Sequence, residues 1–186
     1  MEEQAMRPGA LVRVWDPLVR IFHWSLVVSF AVAWLTSHSW ETLHHLAGYA
    51  AALLIGIRLI WGLIGTRYAR FASFVRHPRA IIDYLRAIVT GSEARHIGHN
   101  PAGGAMIVAL ILAMAATATT GWMMTTDTFW GVEWMQKLHD LIAHGLLLLV
   151  GIHVAGVVLA SVRHRENLVL SMLSGLKRPP EPGDVE

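Results

Sequence analysis

The 186-residue chain contains no cysteine. That one absence excludes disulfides, thiolate zinc sites, cysteine-held iron–sulfur clusters, covalently attached c-type haem and thiol nucleophiles. Charge is also scarce: charged residues make up 15% of the chain against 54% hydrophobic residues, a balance that excludes an ordinary soluble domain. The formal net charge of +2 is too small for a nucleic-acid-binding surface, so no nucleic-acid partner is expected. What the chain has in quantity is long apolar runs and eleven histidines.

A membrane helix needs ~20 largely apolar residues to cross ~30 Å of hydrocarbon. Four segments meet that requirement, at about residues 18–37, 43–64, 103–124 and 138–162. Asn100-Pro101 reads as an N-cap and first-turn proline ahead of the third. Trp15, Trp24, Trp40, Trp61, Trp122, Trp130 and Trp134 fall near the span ends, where an amphipathic ring favours the headgroup layer. The first apolar run is too long for a signal peptide and lacks a basic n-region, so span one is expected to be retained. The expected fold is all-α, an integral membrane up-down four-helix bundle over residues 1–177, with a disordered cytoplasmic tail at 178–186.

Arginine and lysine accumulate before span one, between spans two and three, and after span four, whereas only Lys137 lies in the opposite set of loops. The positive-inside rule therefore predicts cytoplasmic N- and C-termini in a bacterial inner membrane. Within the middle segment, residues 78–89 place apolar residues at helical spacing with Arg79, Asp83 and Arg86 between them. This is the pattern of an additional amphipathic helix lying at the cytoplasmic surface, with membrane lipid as its partner.

Ionisable side chains inside spans are costly, and function is their default reading. His139 and His153 are fourteen residues apart, which puts them within about 40° of one helix face and about 21 Å apart along the axis. One helix thus offers a ligand near each membrane surface. In an up-down bundle His44 shares the depth of His139, and His23 shares that of His153. Two His/His pairs at two levels suit bis-histidine haem b, in which both axial positions are filled and the iron is left to electron transfer. His44 is preferred to His45 because its helix face also carries Gly48 and Gly62, which would let a flat macrocycle approach; His38 is the alternative outer ligand. Arg58 lies at the inner level, where a guanidinium either pairs with a haem propionate or snorkels to the headgroups, and Arg20 has the same two readings. Asp140 is a candidate partner for the second ring nitrogen of His139, and His99 a candidate neighbour of an inner quinone pocket.

WDPLVRIFHW, LHHLAGY, RLIWGLIGTRYARF, GHNP, LHDLIAHGLLLLVGIHVAGV and HRENLV, in that order and spacing, resemble the bacterial cytochrome b561 and nickel-iron hydrogenase cytochrome b family. The resemblance spans about residues 11–177. It implies a dihaem membrane cytochrome b with two haem b, His23 pairing with His153 and His44 with His139, that passes electrons between a periplasmic redox partner such as a c-type cytochrome and the quinone pool. The alternatives are a stand-alone superoxide:ubiquinone oxidoreductase, which the resemblance also permits, and a membrane anchor subunit of a larger oxidoreductase.

Overall fold

The computed structural model describes residues 11–185. A two-residue strand β1 (Val12–Arg13) leads into α1 (Pro17–Thr36) and α2 (Glu41–Ile64). A short α3 (Phe71–Phe74) and α4 (Pro78–Thr90) follow, then α5 (Pro101–Met124), α6 (Glu133–Arg163), α7 (Leu168–Ser174) and β2 (Leu176–Lys177). The chain is helical as expected, and α1, α2, α5 and α6 are the four helices long and apolar enough to cross a membrane, with mean hydropathies of 1.7 to 2.4. Each starts within five residues of its expected boundary, and α6 is the longest because it begins at Glu133.

Polar caps define where the spans begin. The Asp16 carboxylate accepts the Val19 amide at 2.9 Å, with Pro17 in the first turn, and Asn100 accepts the Gly103 amide at 2.7 Å ahead of Pro101. Such a cap contributes ~1 kcal/mol by satisfying an amide with no helical partner. Asp16 does more than cap. Its other oxygen accepts Thr66 Oγ1 at 2.5 Å and Trp61 Nε1 at 3.2 Å, tying the start of α1 to the end of α2. Burial opposes its charge, but these donors outweigh burial and hold its pKa below the usual carboxylate value.

The closest backbone approaches run from α1 to α2, α2 to α5 and α5 to α6, while α6 makes no comparable approach to α1 or α2 among the described residues. Side chains therefore bridge α6 to the first two helices. Halfway along, Phe22, Ala51, Ile55, Ile111, Met114 and Leu146 form the main core, with Leu146 only 1% exposed. Most of the remaining surface of the spans is apolar and outward-facing, as a lipid solvent requires. The short α1–α2 and α5–α6 connections share one end of the bundle, here the hairpin end; α3, α4, α7 and the two strands share the other, the loop end.

The tail differs from expectation. Where residues 178–186 read as disordered, the described part of it folds back onto residues 95–97: the Val185 amide donates to the Arg95 carbonyl and the Ile97 amide to that of Val185, both at 2.9 Å. The cause is the buried Arg95 guanidinium, which donates to Glu166, to the carbonyls of Arg178 and Pro179, and to Asp184. A buried guanidinium has five donors to satisfy, and the tail supplies acceptors. Strands β1 and β2 pair antiparallel beside it. Gly175 ends α7 with φ +84, and a Cβ there would sit 2.6 Å from the Trp15 carbonyl, so the β1 connection can pass this closely only over glycine.

Candidate functional site

Two pairs of imidazoles meet inside the bundle. His44 on α2 faces His139 on α6 near the hairpin end, with ring centroids 6.3 Å apart, and His23 on α1 faces His153 on α6 near the loop end at 6.5 Å. The four histidines singled out by depth are thus brought together as the two expected pairs. Leu146 lies midway, seven residues and about 20° from each α6 histidine, and at 1% exposure it packs into the core between the two levels.

The spacing of the rings is informative. An imidazole nitrogen binds a metal at ~2.0 Å and the ring centre lies about 1.1 Å further out, so two imidazoles sharing one iron from opposite sides would have centroids ~6.2 Å apart. Both pairs match this separation to within a few tenths of an ångström.

Hydrogen bonding fixes the tautomers of the hairpin-end pair. His44 Nδ1 lies 2.8 Å from the Ala33 carbonyl, which can only accept, so the proton is on Nδ1 and the Nε2 lone pair is free. His139 Nδ1 lies 3.0 Å from Thr120 Oγ1. The Thr120 hydroxyl is in turn directed to the carbonyls of Ala116 and Thr117, at 2.9 and 3.0 Å, so Thr120 donates there and accepts from His139. Again Nε2 is left free. Asp140, expected to hold His139, instead receives His144: His144 Nδ1 reaches the Asp140 carbonyl at 2.8 Å and its carboxylate at 3.3 Å.

Several other assignments separate cleanly. His38 is exposed and bonds Ser37, and His45 lies beside His44 with no ring contact to His139, so neither joins the hairpin-end pair. Arg58 does not snorkel. It is 3% exposed, its guanidinium lies 5.0 Å over the Phe71 ring and 6.0 Å from that of Phe74, and its Nη1 is buried without a hydrogen-bond partner. Arg20 Nε and His23 Nδ1 are likewise buried and unpartnered. Gly48 faces open space, as the macrocycle argument requires, but Gly62 does not: a Cβ there would lie 2.1 Å from the Phe71 ring, so this glycine makes room for phenylalanine.

The chain matches the prokaryotic cytochrome b561 family over residues 14–175. It belongs to that family. Among curated proteins it is similar to the probable Ni/Fe-hydrogenase B-type cytochrome subunit of Rhodobacter capsulatus, 23% identical over 92% of this chain and 83% of the relative. The protein of the same name from Bradyrhizobium diazoefficiens is 22% identical over 88% and 85%. No solved structure matches. As a cytochrome b561 family member the protein is a multi-pass membrane cytochrome of b type that takes part in electron transfer, and its cofactor is haem b.

The residues present fit that cofactor. The paired imidazoles have the separation that two nitrogens sharing one iron would need, and Arg20 Nε and Arg58 Nη1 are buried donors without a hydrogen-bond partner, a character that suits a haem propionate. Just below the loop-end pair, His99 is held between Trp15 and Phe74, with ring centroids 4.5 and 4.8 Å away. Burial, with the Arg58 and Lys177 charges, drives its pKa down to about 3, so it is neutral at physiological pH. Sequence reasoning missed Thr120 and the Ala33 carbonyl. The i−4 bond from Thr120 was the only signal, and it has no periodic signature.

Proposed function

We propose that the protein holds two haem b, one between His44 and His139 and one between His23 and His153, and conducts electrons between a redox partner at the hairpin end and a quinone at the loop end. The observation that carries this reading is the recurrence of one imidazole spacing, 6.3 and 6.5 Å between ring centroids, at two depths. The hairpin end faces the periplasm and the loop end, with both termini, the cytoplasm of a bacterial inner membrane, because the basic residues cluster at the loop end.

Haem, when bound, would supply reversible one-electron chemistry, and His23, His44, His139 and His153 would hold it. The chain's own part is positional. Ala33 and Thr120 fix the ring planes and tautomers of His44 and His139. Arg20 and Arg58 would hold propionates at the loop end, and the apolar core around Leu146 packs between the two levels. Neutral His99, flanked by Trp15 and Phe74, offers a hydrogen-bonding group to a quinone there. The partner is a periplasmic c-type cytochrome or, as the names of the relatives imply, another redox subunit.

Superoxide is the less favoured reductant. The hairpin end carries Glu41, Asp127, Glu133 and Asp140 against Lys137, and Lys137 Nζ is already 2.6 Å from Glu133, so the field there repels an anion. A pyridine haemochrome assay on purified protein tests the central proposal: two b-type haems per chain are expected. His23→Ala or His153→Ala removes one, and His44→Ala or His139→Ala the other. Retention of both haems by each single variant would overturn the assignment.

A further inference from the structure

Helix α4 is amphipathic twice over. Its inner face buries Tyr84 against the bundle, at 8% exposure, as an interfacial helix anchored to a protein should. Its outer face nevertheless exposes Ile82, Leu85 and Val89, at 48%, 48% and 86%. At 100° per residue these three fall within an arc of about 60°, and Arg86 and Arg79 follow about 40° and 60° beyond Ile82 on one side. The stripe and Arg86 line one shallow groove with Thr90.

Two contacts fix the level at which this helix lies. The Arg163 guanidinium, at the end of span α6, donates to the Ile88 carbonyl at 2.6 Å and to Glu93 at 2.7 Å. Tyr84 lies within interaction range of the Asn100 side chain, the N-cap of span α5. Both anchors are residues where a span ends, so α4 runs along the plane in which the spans leave the hydrocarbon. An exposed apolar stripe in that plane is covered by acyl chains, and cations at its edge meet headgroups.

We infer that α4 is a binding site for an anionic phospholipid, with Ile82, Leu85 and Val89 against its acyl chains and Arg79 and Arg86 on its phosphate. Charge favours an anionic over a zwitterionic headgroup. Arg76, Arg79 and Arg86 are all exposed, and the one acidic residue of the segment, Asp83, is 3.4 Å from Arg86 in a pair exposed enough to be weak. Arg79 and Arg86 against Asp83 therefore leave one net positive charge for the ligand. A guanidinium presents parallel donors to phosphate oxygens, which suits it to this role better than a lysine.

The absence of native cysteine makes the test direct. Val89→Cys and, separately, Ile82→Cys are labelled with a bimane fluorophore in the haem-loaded protein. Each is reconstituted into phosphatidylcholine vesicles holding an equal minor fraction of brominated phosphatidylcholine or brominated phosphatidylglycerol. Both lipids should quench the label, and the phosphatidylglycerol should be enriched at it by roughly fivefold, the effect of about one arginine at a membrane surface. Adding Arg79→Gln and Arg86→Gln should abolish the preference while retaining quenching and the b-type absorbance, which separates loss of the site from loss of the fold. Equal quenching by the two lipids in the parent chain would overturn the anionic site. No quenching by either would place the stripe outside the acyl layer, as a surface for a protein partner, and overturn the proposal entirely.

Discussion

At His139 the deciding neighbour is a hydroxyl on another helix. Thr120 accepts from Nδ1 and donates its own hydroxyl hydrogen bond to a main-chain carbonyl, so one side chain sets both the tautomer and the plane of the ring. Thr120→Val keeps the shape and removes the acceptor; haem affinity at the His44–His139 site should fall about 10- to 100-fold, as loss of a partner behind a metal ligand does. Thr120→Ser should restore it, and titration of apoprotein with haem reads both. Gly62 shows the opposite kind of constraint. Gly62→Ala drives a Cβ into Phe71 and displaces the ring on which Arg58 lies, so we expect a loss of about 1–3 kcal/mol, seen as a lower thermal midpoint. The histidine pairs were legible in the sequence because fourteen residues is close to a whole number of turns and the price of burying imidazole makes each one conspicuous. Thr120 and the true role of Gly62 were not legible, since both depend on which residue of a neighbouring helix stands opposite.

Between elements at the loop end, the organising device is a buried ion cluster. Arg95 pairs with Glu166 at 2.7 Å and with Asp184, and Lys177 reaches Glu166 at 3.3 Å and the carbonyls of His96 and Ile97 at 3.1 Å. Burial opposes the Glu166 charge, but Arg95 and Lys177 outweigh it, so its pKa is lower folded than unfolded. A depressed carboxylate pKa stabilises the fold above the usual carboxylate range, and that contribution is lost as pH falls through the folded value. Acidification to below the usual carboxylate range should therefore release the tail first. Glu166→Gln should do the same at neutral pH, costing about 3–5 kcal/mol because two buried cations are left with one carboxylate. Hydrogen exchange at the Val185 and Ile97 amides measures this: protection there should vanish while that of the four spans persists. If all amides lost protection together, the cluster would be holding the bundle and not the tail. Helix α4 was legible in the sequence from its periodicity. The tail was not, because its prolines, glycine and acidic residues read as disorder, and nothing local shows that Asp184 meets an arginine 89 residues earlier.

Across the whole molecule, the small net charge conceals a strong polarity. Of fifteen lysines and arginines, Lys137 alone lies at the hairpin end among the described residues, and Glu133 neutralises it. By the positive-inside rule, the proposed orientation keeps the loop end on the cytoplasmic side. That orientation decides which histidine pair serves which partner, yet the bundle geometry would be the same if inverted, so the two questions need separate measurements. Ser39 in the α1–α2 connection and Ser92 after α4 are both exposed. In a chain without native cysteine, Ser39→Cys should react with a membrane-impermeant maleimide in cells whose outer membrane alone is permeabilised. Ser92→Cys should react only after the inner membrane is opened. The reverse labelling order would place the His23–His153 pair nearest the periplasm and exchange the assigned quinone and partner ends, while leaving the pairing itself and the haem count per chain unaltered.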